Sequence, residues 1–444
     1  MALLTDQIAF TGTPASGDLI HLVDVSDTSQ NPAGSSYKAT LSDLSSFFSS
    51  SDGYWTSGST GTNSIKAINP SGLDATGTYA VAIGLATIAS GYASLAMGNN
   101  TSATTIGSFA TGRQTVAGGN YALAQGYFSE ATGAYAVSTG GFTVASGDTS
   151  FAMGNRSVAG AQHSFAGGNR SSATTQTAFA FGDGVLASGQ ESFAGGTTSL
   201  ASGTTSFTHG FESRSTGNYA HSLGYRSRAT GVASFAINGD PNKGNYSEAI
   251  GYASFAGGSD STASGDTSFA FGVGCETNDD FALAMGNGSV ANGVRSVALM
   301  SSRADGYAAM SIGDGNVAYS DNSFVGGSKN STGAVYVSGD TSFVFMNTTD
   351  STSKGVVSDY SAILGGQDNH LNSGATRSVI LGGTGITGST ADMVYVPDLY
   401  IDNAPAYDDD AAAGVGGLTT GMVYQTTGAG AAPLNVAGIL MIKQ

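Results

Sequence analysis

The sequence is short of the residues on which small secreted scaffolds and membrane proteins depend. It has 444 residues and one cysteine, Cys275, so no intramolecular disulfide can form and stability must come from other contacts. No run of eighteen apolar residues occurs, which argues against a transmembrane helix and membrane insertion. The first residues, MALLTDQIAFTGTP, carry neither a basic region nor a proper apolar one, so we expect no secretory signal peptide.

Charge is scarce, and positive charge most of all. Only 11% of the residues are charged, and 15 Lys and Arg stand against 32 Asp and Glu, which gives a net charge of −17. Nucleic-acid binding depends on clustered Lys and Arg. We therefore expect no nucleic-acid partner, and a protein or a glycan instead.

Residues for metal and cofactor chemistry are few. None of the five histidines stands at a metal-ligand spacing from another ligand, so we expect no metal and no cofactor. His209 could hold an ion on a threefold axis, although a packed, uncharged imidazole is the default interpretation. The acidic run 408–410, with Asp402 nearby, could bind calcium, but no regular calcium loop surrounds it and a solvated loop is favoured.

Glycine is what the sequence has in abundance, with 67 residues at a strict spacing. One set recurs every fourteen residues, and the next position in frame is Asn238, a residue that tolerates positive φ. These turn glycines are Gly84, Gly98, Gly112, Gly126, Gly140, Gly154, Gly168, Gly182, Gly196, Gly210 and Gly224. A second set lies halfway between them, with Thr105, Ala161 and Thr175 as exceptions, so the unit is seven residues used in pairs.

Each seven-residue unit predicts a short strand closed by a glycine turn. It reads Gly, two variable residues, Ser or Thr, a variable residue, Ala and another variable residue, as in GLATIAS at 84–90. A glycine in every heptad would cost a helix about 1 kcal/mol each time, which excludes a coiled coil. The pattern therefore predicts an all-β solenoid with two strands per fourteen residues.

Alternation along a strand predicts which side chains face inward. Ser/Thr and Ala are two residues apart and share the inner face, while the residue between them points outward. In one half of the unit that outward residue is large and apolar, and in the other half it is mixed. Soluble monomers avoid large exposed apolar patches, so we expect a homotrimer that buries this face. The predicted trimer-interface ladder is Phe109, Phe151, Phe165, Phe179, Phe193, Phe207, Phe235, Phe255, Phe269 and Phe324.

The repeated SFAMG, SFAGG and SFAFG segments, alternating with xxAxG segments, resemble the head domains of trimeric autotransporter adhesins. The resemblance covers about residues 79–347. It implies a left-handed parallel β-roll of 14-residue turns packed as a homotrimer. It says less about function, because fibres of other origins use the same roll.

The segments before the roll form a separate module. In residues 1–50 we predict strands at 18–25 and 37–40 and a short helix at 41–48. The run DLI…VDVSDT…PAG…K.TLSDL resembles the N-terminal segments of bacteriophage tail fibres and related virion proteins, which implies docking onto a particle. Residues 51–78 are interpreted as a linker and cap, with Trp55 over the first turn.

Regularity fails at three places, and there we expect contacts with a receptor. The roll of 79–347 is interrupted at 238–247, residues 348–395 form irregular turns, and 396–444 form a β-rich C-terminal tip or cap. Its GGL..G..Y run and final apolar strand weakly resemble the ends of phage structural proteins. Loops on rigid scaffolds carry function, so the candidate receptor contacts are Asp240, Asn242, Tyr246 and Tyr407.

These features predict a homotrimeric, non-enzymatic fibre of a bacteriophage or phage-like virion, made in the host cytoplasm. Its N-terminal module would contact tail, baseplate, neck or capsid proteins, and its tip a host-surface glycan or protein. Alternatives are an autotransporter-type adhesin and a capsid fibre. An enzyme with carboxylates paired across a trimer interface is weaker, as is ice binding by the hydroxyl row of Thr87, Thr101 and Thr115, because that row is predicted to face inward.

Overall fold

The computed structural model describes residues 19–24, 35–40, 55–58, 60–67, 74–241, 246–329, 333–349, 351–398, 404–430 and 437–444. The chain divides into two compact units, Met1–Ser301 and Ser302–Gln444. Each unit is described by itself.

Two antiparallel strand pairs precede the roll. Leu19–Asp24 pairs with Ser35–Thr40, as the predicted strands suggest, whereas the predicted helix at 41–48 lies outside the described residues. Trp55–Ser57 pairs with Ile65–Ala67, and Ile65–Ala67 also pairs in parallel with the first strand of the roll. The segment before residue 79 therefore contributes a strand to the sheet of the roll.

The roll of the first unit is a parallel β-solenoid made of two sheets. The strands of one sheet are mostly five residues long, and we call it the long-strand sheet. Its strands are Val81–Leu85, Leu95–Asn99, Phe109–Arg113, Leu123–Tyr127, Val137–Gly141, Phe151–Asn155, Phe165–Asn169, Phe179–Asp183, Phe193–Thr197, Phe207–Phe211, His221–Tyr225, Phe235–Ile237, Phe255–Ser259, Phe269–Val273, Leu283–Asn287 and Val297–Leu299.

The other sheet has strands of two or three residues, and we call it the short-strand sheet. Its strands alternate along the chain with those of the long-strand sheet. They are Asp74–Ala75, Ile88–Ala89, Ser102–Ala103, Val116–Ala117, Glu130–Ala131, Val144–Ala145, Val158–Ala159, Ser172–Ala173, Leu186–Ala187, Leu200–Ala201, Arg214–Ser215, Ser227–Ala229, Ser247–Ala249, Thr262–Ala263, Glu276–Thr277 and Val290–Ala291.

The interior between these sheets consists of small side chains. Ala166 pairs in register with Ala180 fourteen residues later, and both are 0% exposed. Ser94 is 1% exposed, and its hydroxyl donates a hydrogen bond of 2.8 Å to the carbonyl of Gly91. The predicted inward face of Ala and Ser/Thr is confirmed.

The two glycine sets are required for different reasons. The eleven turn glycines have φ values from 93° at Gly224 to 149° at Gly182, a region that disfavours side chains. Asn238, next in frame, has a φ of 48°, as its residue type predicts. Gly91, from the second set, does not have positive φ, but a Cβ there would overlap the backbone carbonyl of Thr105 in the next turn.

The insertion near residue 240 does not interrupt the sheets. Phe235 pairs with Phe255 in the long-strand sheet, and Ser227 pairs with Ser247 in the short-strand sheet. Both sheets therefore continue past the predicted interruption.

The second unit contains further turns of the same kind with a larger interior. Its long-strand sheet has Met310–Ile312, Phe324–Gly326, Phe343–Asn347, Ala362–Gln367, Val379–Leu381 and Val394–Tyr395. Its short-strand sheet has Arg303–Ala304, Val317–Ala318, Val335–Val337, Lys354–Val356, His370–Leu371 and Thr387–Gly388. The fully buried side chains include Val325, Val344, Ile363, Leu371 and Ile380.

The chain ends in a small sheet with one helix. Ala406–Tyr407 pairs in parallel with Val423–Thr427, which pairs antiparallel with Ala437–Ile442. Helix α1, Asp410–Val415, begins after the N-cap Asp409, whose carboxylate accepts a 2.8 Å hydrogen bond from the N–H of Ala412. The expectation of a solvated loop at 408–410 therefore holds for Asp408 and Asp409, which are exposed, whereas Asp410 is the first residue of the helix.

Candidate assembly interface

The outer face of the long-strand sheet carries a continuous stack of aromatic rings. Parallel pairing in register places the same repeat position of successive turns side by side. Phe165 and Phe179 have ring centroids 4.4 Å apart and an interplanar angle of 6°, and Phe193 and Phe207 are 4.7 Å apart at 7°. Such contacts contribute about 0.5–1.5 kcal/mol each beyond burial. The rings therefore stabilise one another within the single chain.

A second outward row follows two residues later in the same strands, and the sequence analysis did not single it out. Between residues 153 and 209 glycines alternate with large side chains in this row: a Cβ at Gly167 would lie 2.9 Å from the Phe181 ring and 3.0 Å from the Phe165 ring. Phe181 is 52% exposed and Phe271, at the equivalent position, is 42% exposed. The alternation of Gly with Phe at that position was the available signal.

The outer face of the short-strand sheet has a different character. Its outward row mixes apolar residues such as Ile88 with charged ones, and Arg228 forms an ion pair of 2.9 Å with Glu248. Oppositely charged side chains on adjacent strands form ion pairs there within the single chain. The short-strand sheet therefore presents a mixed outer face, and exposed apolar side chains also occur in the turns, for example Tyr79, Tyr121 and Phe142.

The predicted ladder residues lie where the sequence places them, on the outer face of the long-strand sheet. All ten phenylalanines are half-buried by their neighbours in the chain. His209 lies on the same face and is exposed. Their role in a trimer stays a prediction, since a single chain is described.

Two of the candidate receptor contacts, Asp240 and Tyr246, lie in the described part of the insertion. The Arg228 guanidinium lies 3.4 Å from the centroid of the Tyr246 ring, and Arg226 lies 5.7 Å from it. Arg226 pairs with Glu212 at 2.7 Å, and this hydrogen bond raises the pKa of the guanidinium. Asp240 accepts a 3.0 Å hydrogen bond from the hydroxyl of Ser259. Tyr246 is thus held against the roll, and Asn242 lies outside the described residues.

Tyr407, the remaining candidate contact, belongs to the small terminal sheet. Its hydroxyl donates to the carbonyl of Gly416 at 3.4 Å, and its ring meets that of Tyr424 edge-on at 6.0 Å. Asp410 accepts a 3.0 Å bond from Lys443 and a 3.0 Å bond from the backbone N–H of Gln444, and the latter lowers its pKa most. These contacts fasten the helix to the last strand.

Metal-ligating side chains do not cluster in the part of the chain that the structure describes. No three His, Cys, Asp or Glu side chains there lie close enough to hold a metal ion. Cys275 is buried in the interior hydroxyl row, and burial raises the pKa of its thiol. Thr87, Thr101 and Thr115 of that row are at most 1% exposed, so they form no outer surface for ice.

Among the described residues, no helix has the length and apolar character needed to cross a bilayer.

The geometry agrees with the family comparison. The family model of the YadA head domain repeat (2 copies) matches residues 75–101, 89–115, 117–143, 145–171 and 280–299, which together are less than half of the chain. No curated protein matches the chain. Over the matched segments the chain is similar to this head repeat, and the similarity supports an adhesin-like β-roll.

Proposed function

We propose that the chain forms a homotrimeric structural fibre of a bacteriophage or phage-like particle, a tail fibre in the first instance, that attaches to the host surface without catalysis. The observation that carries the assembly is the stacked, partly exposed aromatic face on one sheet of the roll. Burying each large apolar side chain contributes about 1.5–3 kcal/mol when the burial is complete. A repeated gain of this kind along the roll favours close association of copies.

The test of assembly changes this face without changing the interior. We expect the wild type to sediment at three times the chain mass of 44.1 kDa. A double variant, Phe179→Asp with Phe193→Asp, places carboxylates on the aromatic face and is expected to sediment as single chains. Leu186→Asp is the matched control, because Leu186 is outward on the short-strand sheet of the same turn and 37% exposed.

The particle role rests on the resemblance of residues 18–44 to virion attachment segments, while the match to the YadA head repeat favours an adhesin as the second candidate. Gold labelling of the N-terminal 50 residues on negatively stained material from the producing culture separates the two. Label on tails or baseplates supports the proposal, and label over capsids points to a capsid fibre. Label on cell envelopes supports an adhesin and contradicts the particle role.

Attachment would be multivalent. Three copies of a weak site on one rigid trimer raise the effective concentration of the second and third contacts, so avidity exceeds the affinity of one site. Host cells should bind the wild-type trimer more tightly than the single chains of the Phe179→Asp, Phe193→Asp variant. Equal binding by both forms would contradict this part of the proposal.

A further inference from the structure

An open groove with a volume of about 240 Å³ lies in the second unit, on the outer side of its short-strand sheet. It is lined by Tyr319, Ala334, Tyr336 and Ser353. The volume is small beside that of pockets for drug-sized ligands, about 300–1,000 Å³. The groove therefore has room for one small ring.

Strand register sets which ring-bearing residues lie beside the groove. Tyr336 is outward on Val335–Val337 and pairs with Gly355 of the next strand. Beyond Gly355 comes His370, whose ring centroid is 6.3 Å from that of Tyr336 at an angle of 49°. Gly355 is buried between these rings, and a Cβ there would overlap the carbonyl of Tyr336. Tyr319 meets Tyr336 nearly edge-on at 6.3 Å and 70°.

The groove combines aromatic surface with neutral polar groups. Ser353 is exposed, and its Oγ accepts a 3.3 Å hydrogen bond from the N–H of Ala334. Burial raises the pKa of the Tyr336 phenol, which therefore stays protonated and can donate. Burial also lowers the pKa of His370, so its imidazole is neutral at pH 7.

Among the described residues, none of the side chains that line the groove is charged. Lys354 follows Ser353 in the sequence, and Arg303 forms a 2.7 Å ion pair with Asp305, two residues later in the chain. The whole chain carries a net charge of −17, which disfavours polyanions. The lining therefore suits an uncharged ligand.

We propose that this groove binds one uncharged pyranose ring of a host-surface glycan. Carbon-bound hydrogens on the apolar face of the sugar would contact the electron-rich face of Tyr336. Sugar hydroxyls would bond with the Ser353 hydroxyl and the tyrosine phenols. That the glycan belongs to the host rests on the proposed function; binding of the ring itself does not.

The test uses the full chain and saturation-transfer NMR. The probes are the methyl pyranosides of glucose, galactose, mannose and N-acetylglucosamine, with methyl glucuronide as an acidic comparison. We expect at least one neutral probe to receive saturation at its ring C–H protons. Tyr336→Ala should weaken its binding at least tenfold. Ser353→Trp fills the groove from an exposed position, does not disturb the interior, and should abolish binding.

Tyr252→Ala is the matched control, because Tyr252 is 56% exposed on a turn of the first unit and should leave binding unchanged. The inference is overturned if no neutral probe binds, if methyl glucuronide binds better than all of them, or if Ser353→Trp binds as the wild type does. Host-cell binding separates the two proposals. If host cells bind the Ser353→Trp variant as well as the wild type, the groove is not the receptor site, but the proposed attachment function stands. If the wild type binds a pyranoside but no host cells, the groove binds sugar and the proposed attachment function is contradicted.

Discussion

Both units contain a β-solenoid made of two sheets, but the side chains between the sheets differ in size. In the first unit the buried positions of the long-strand sheet are mostly alanine, and successive strands follow at fourteen residues, as from Phe165 to Phe179. In the second unit the equivalent positions are Val344 and Ile363, and the pairing from Phe343 to Ala362 spans nineteen residues. Larger side chains need more space between the sheets and longer turns. The small interior enforces strict repetition, and the larger one permits the irregular edges where a groove forms.

A methyl group added to a turn glycine should destabilise the first unit far more than the second. Gly168→Ala should destabilise the first unit by at least about 4 kcal/mol, because φ is 107° and the new Cβ would overlap the carbonyl of Gly182. The matched change in the second unit is Gly365→Ala. Gly365 has a φ of 84° but nothing within 4 Å of the added Cβ, so we expect only about 1–2 kcal/mol.

Urea unfolding followed by circular dichroism gives both free energies. Hydrogen exchange of Phe151–Asn155 and Phe179–Asp183 should show that the loss from Gly168→Ala is local to the neighbouring turns. Equal losses for the two substitutions would mean that close backbone approach does not limit the first unit.

Truncating a large interior side chain should lower the stability of the second unit by leaving a cavity. The alanine positions of the first unit offer no such side chain to truncate. Ile363 is fully buried, and Ile363→Ala removes three carbons from a position with no room to collapse. We expect a loss of about 3 kcal/mol in the free energy of unfolding, against about 1 kcal/mol for the control Ile363→Val. Thermal unfolding of the two variants measures the difference. A similar small loss for both would show that this interior is loosely packed.

The reciprocal change overfills the first unit. Ala166→Ile adds three carbons between sheets that are spaced for alanine, and we expect a loss of about 2 kcal/mol. Ala166→Ser is the control, since Ser138 and Ser222 occupy the same repeat position and are buried. The control should cost less than about 1 kcal/mol. If Ala166→Ile were as stable as the control, spacing in this unit would not depend on side-chain size.

Much of the first unit could be predicted because each repeat carries its own evidence. Gly84 and Asn238 report positive φ by their residue type, and the Ser/Thr and Ala positions report the inner face. Strand pairing then follows from the period alone. The aromatic stack needed no tertiary information, because equal positions in parallel strands must adjoin.

Other features leave no such mark in the sequence. Tyr121 and Phe128 also have positive φ, near 57° and 53°, although neither residue type favours it. They are held by backbone bonds to the preceding turn, as in the 2.7 Å bond from the N–H of Tyr121 to the carbonyl of Ile106. A local pattern cannot report a bond between turns. The helix at Asp410–Val415 differs from these features, because an N-cap Asp and a run of three alanines are a recognisable helix-start pattern in the sequence.

Pairings in the second unit depend on turn length, which sequence period does not supply there. The place of Gly355 beside the groove follows from its pairing with Tyr336, nineteen residues earlier. Without that register, Tyr319, Tyr336 and His370 are three unrelated ring-bearing residues. The groove therefore could not have been predicted from the sequence.

The smallest expected effect is an acid sensitivity confined to the longer turns. The Asp368 carboxylate accepts hydrogen bonds from the hydroxyl of Thr348 at 2.8 Å, the N–H and hydroxyl of Thr349 at 2.8 Å each, and the amide of Gln367 at 3.0 Å. Burial alone would raise the pKa of Asp368, but these bonds outweigh it and hold the pKa far below its usual range. In the first unit the comparable turn is held by backbone groups, such as the 2.7 Å bond from Asn100 N–H to the Leu85 carbonyl.

Because the pKa of Asp368 is lower in the folded state than in the unfolded state, the ionised carboxylate stabilises the fold above the unfolded value of about 3.9. That contribution is lost as the pH falls from there toward the folded pKa. The protection factor of the Thr349 amide should fall when the pH is lowered from about 5 to about 2, and in Asp368→Asn it should be low at both. Asp392→Asn is the control, since the pKa of Asp392 is also lowered, by its hydrogen bond to Arg377, outside this turn. The same pH slope in the wild type and Asp368→Asn would show that these four bonds do not hold the turn.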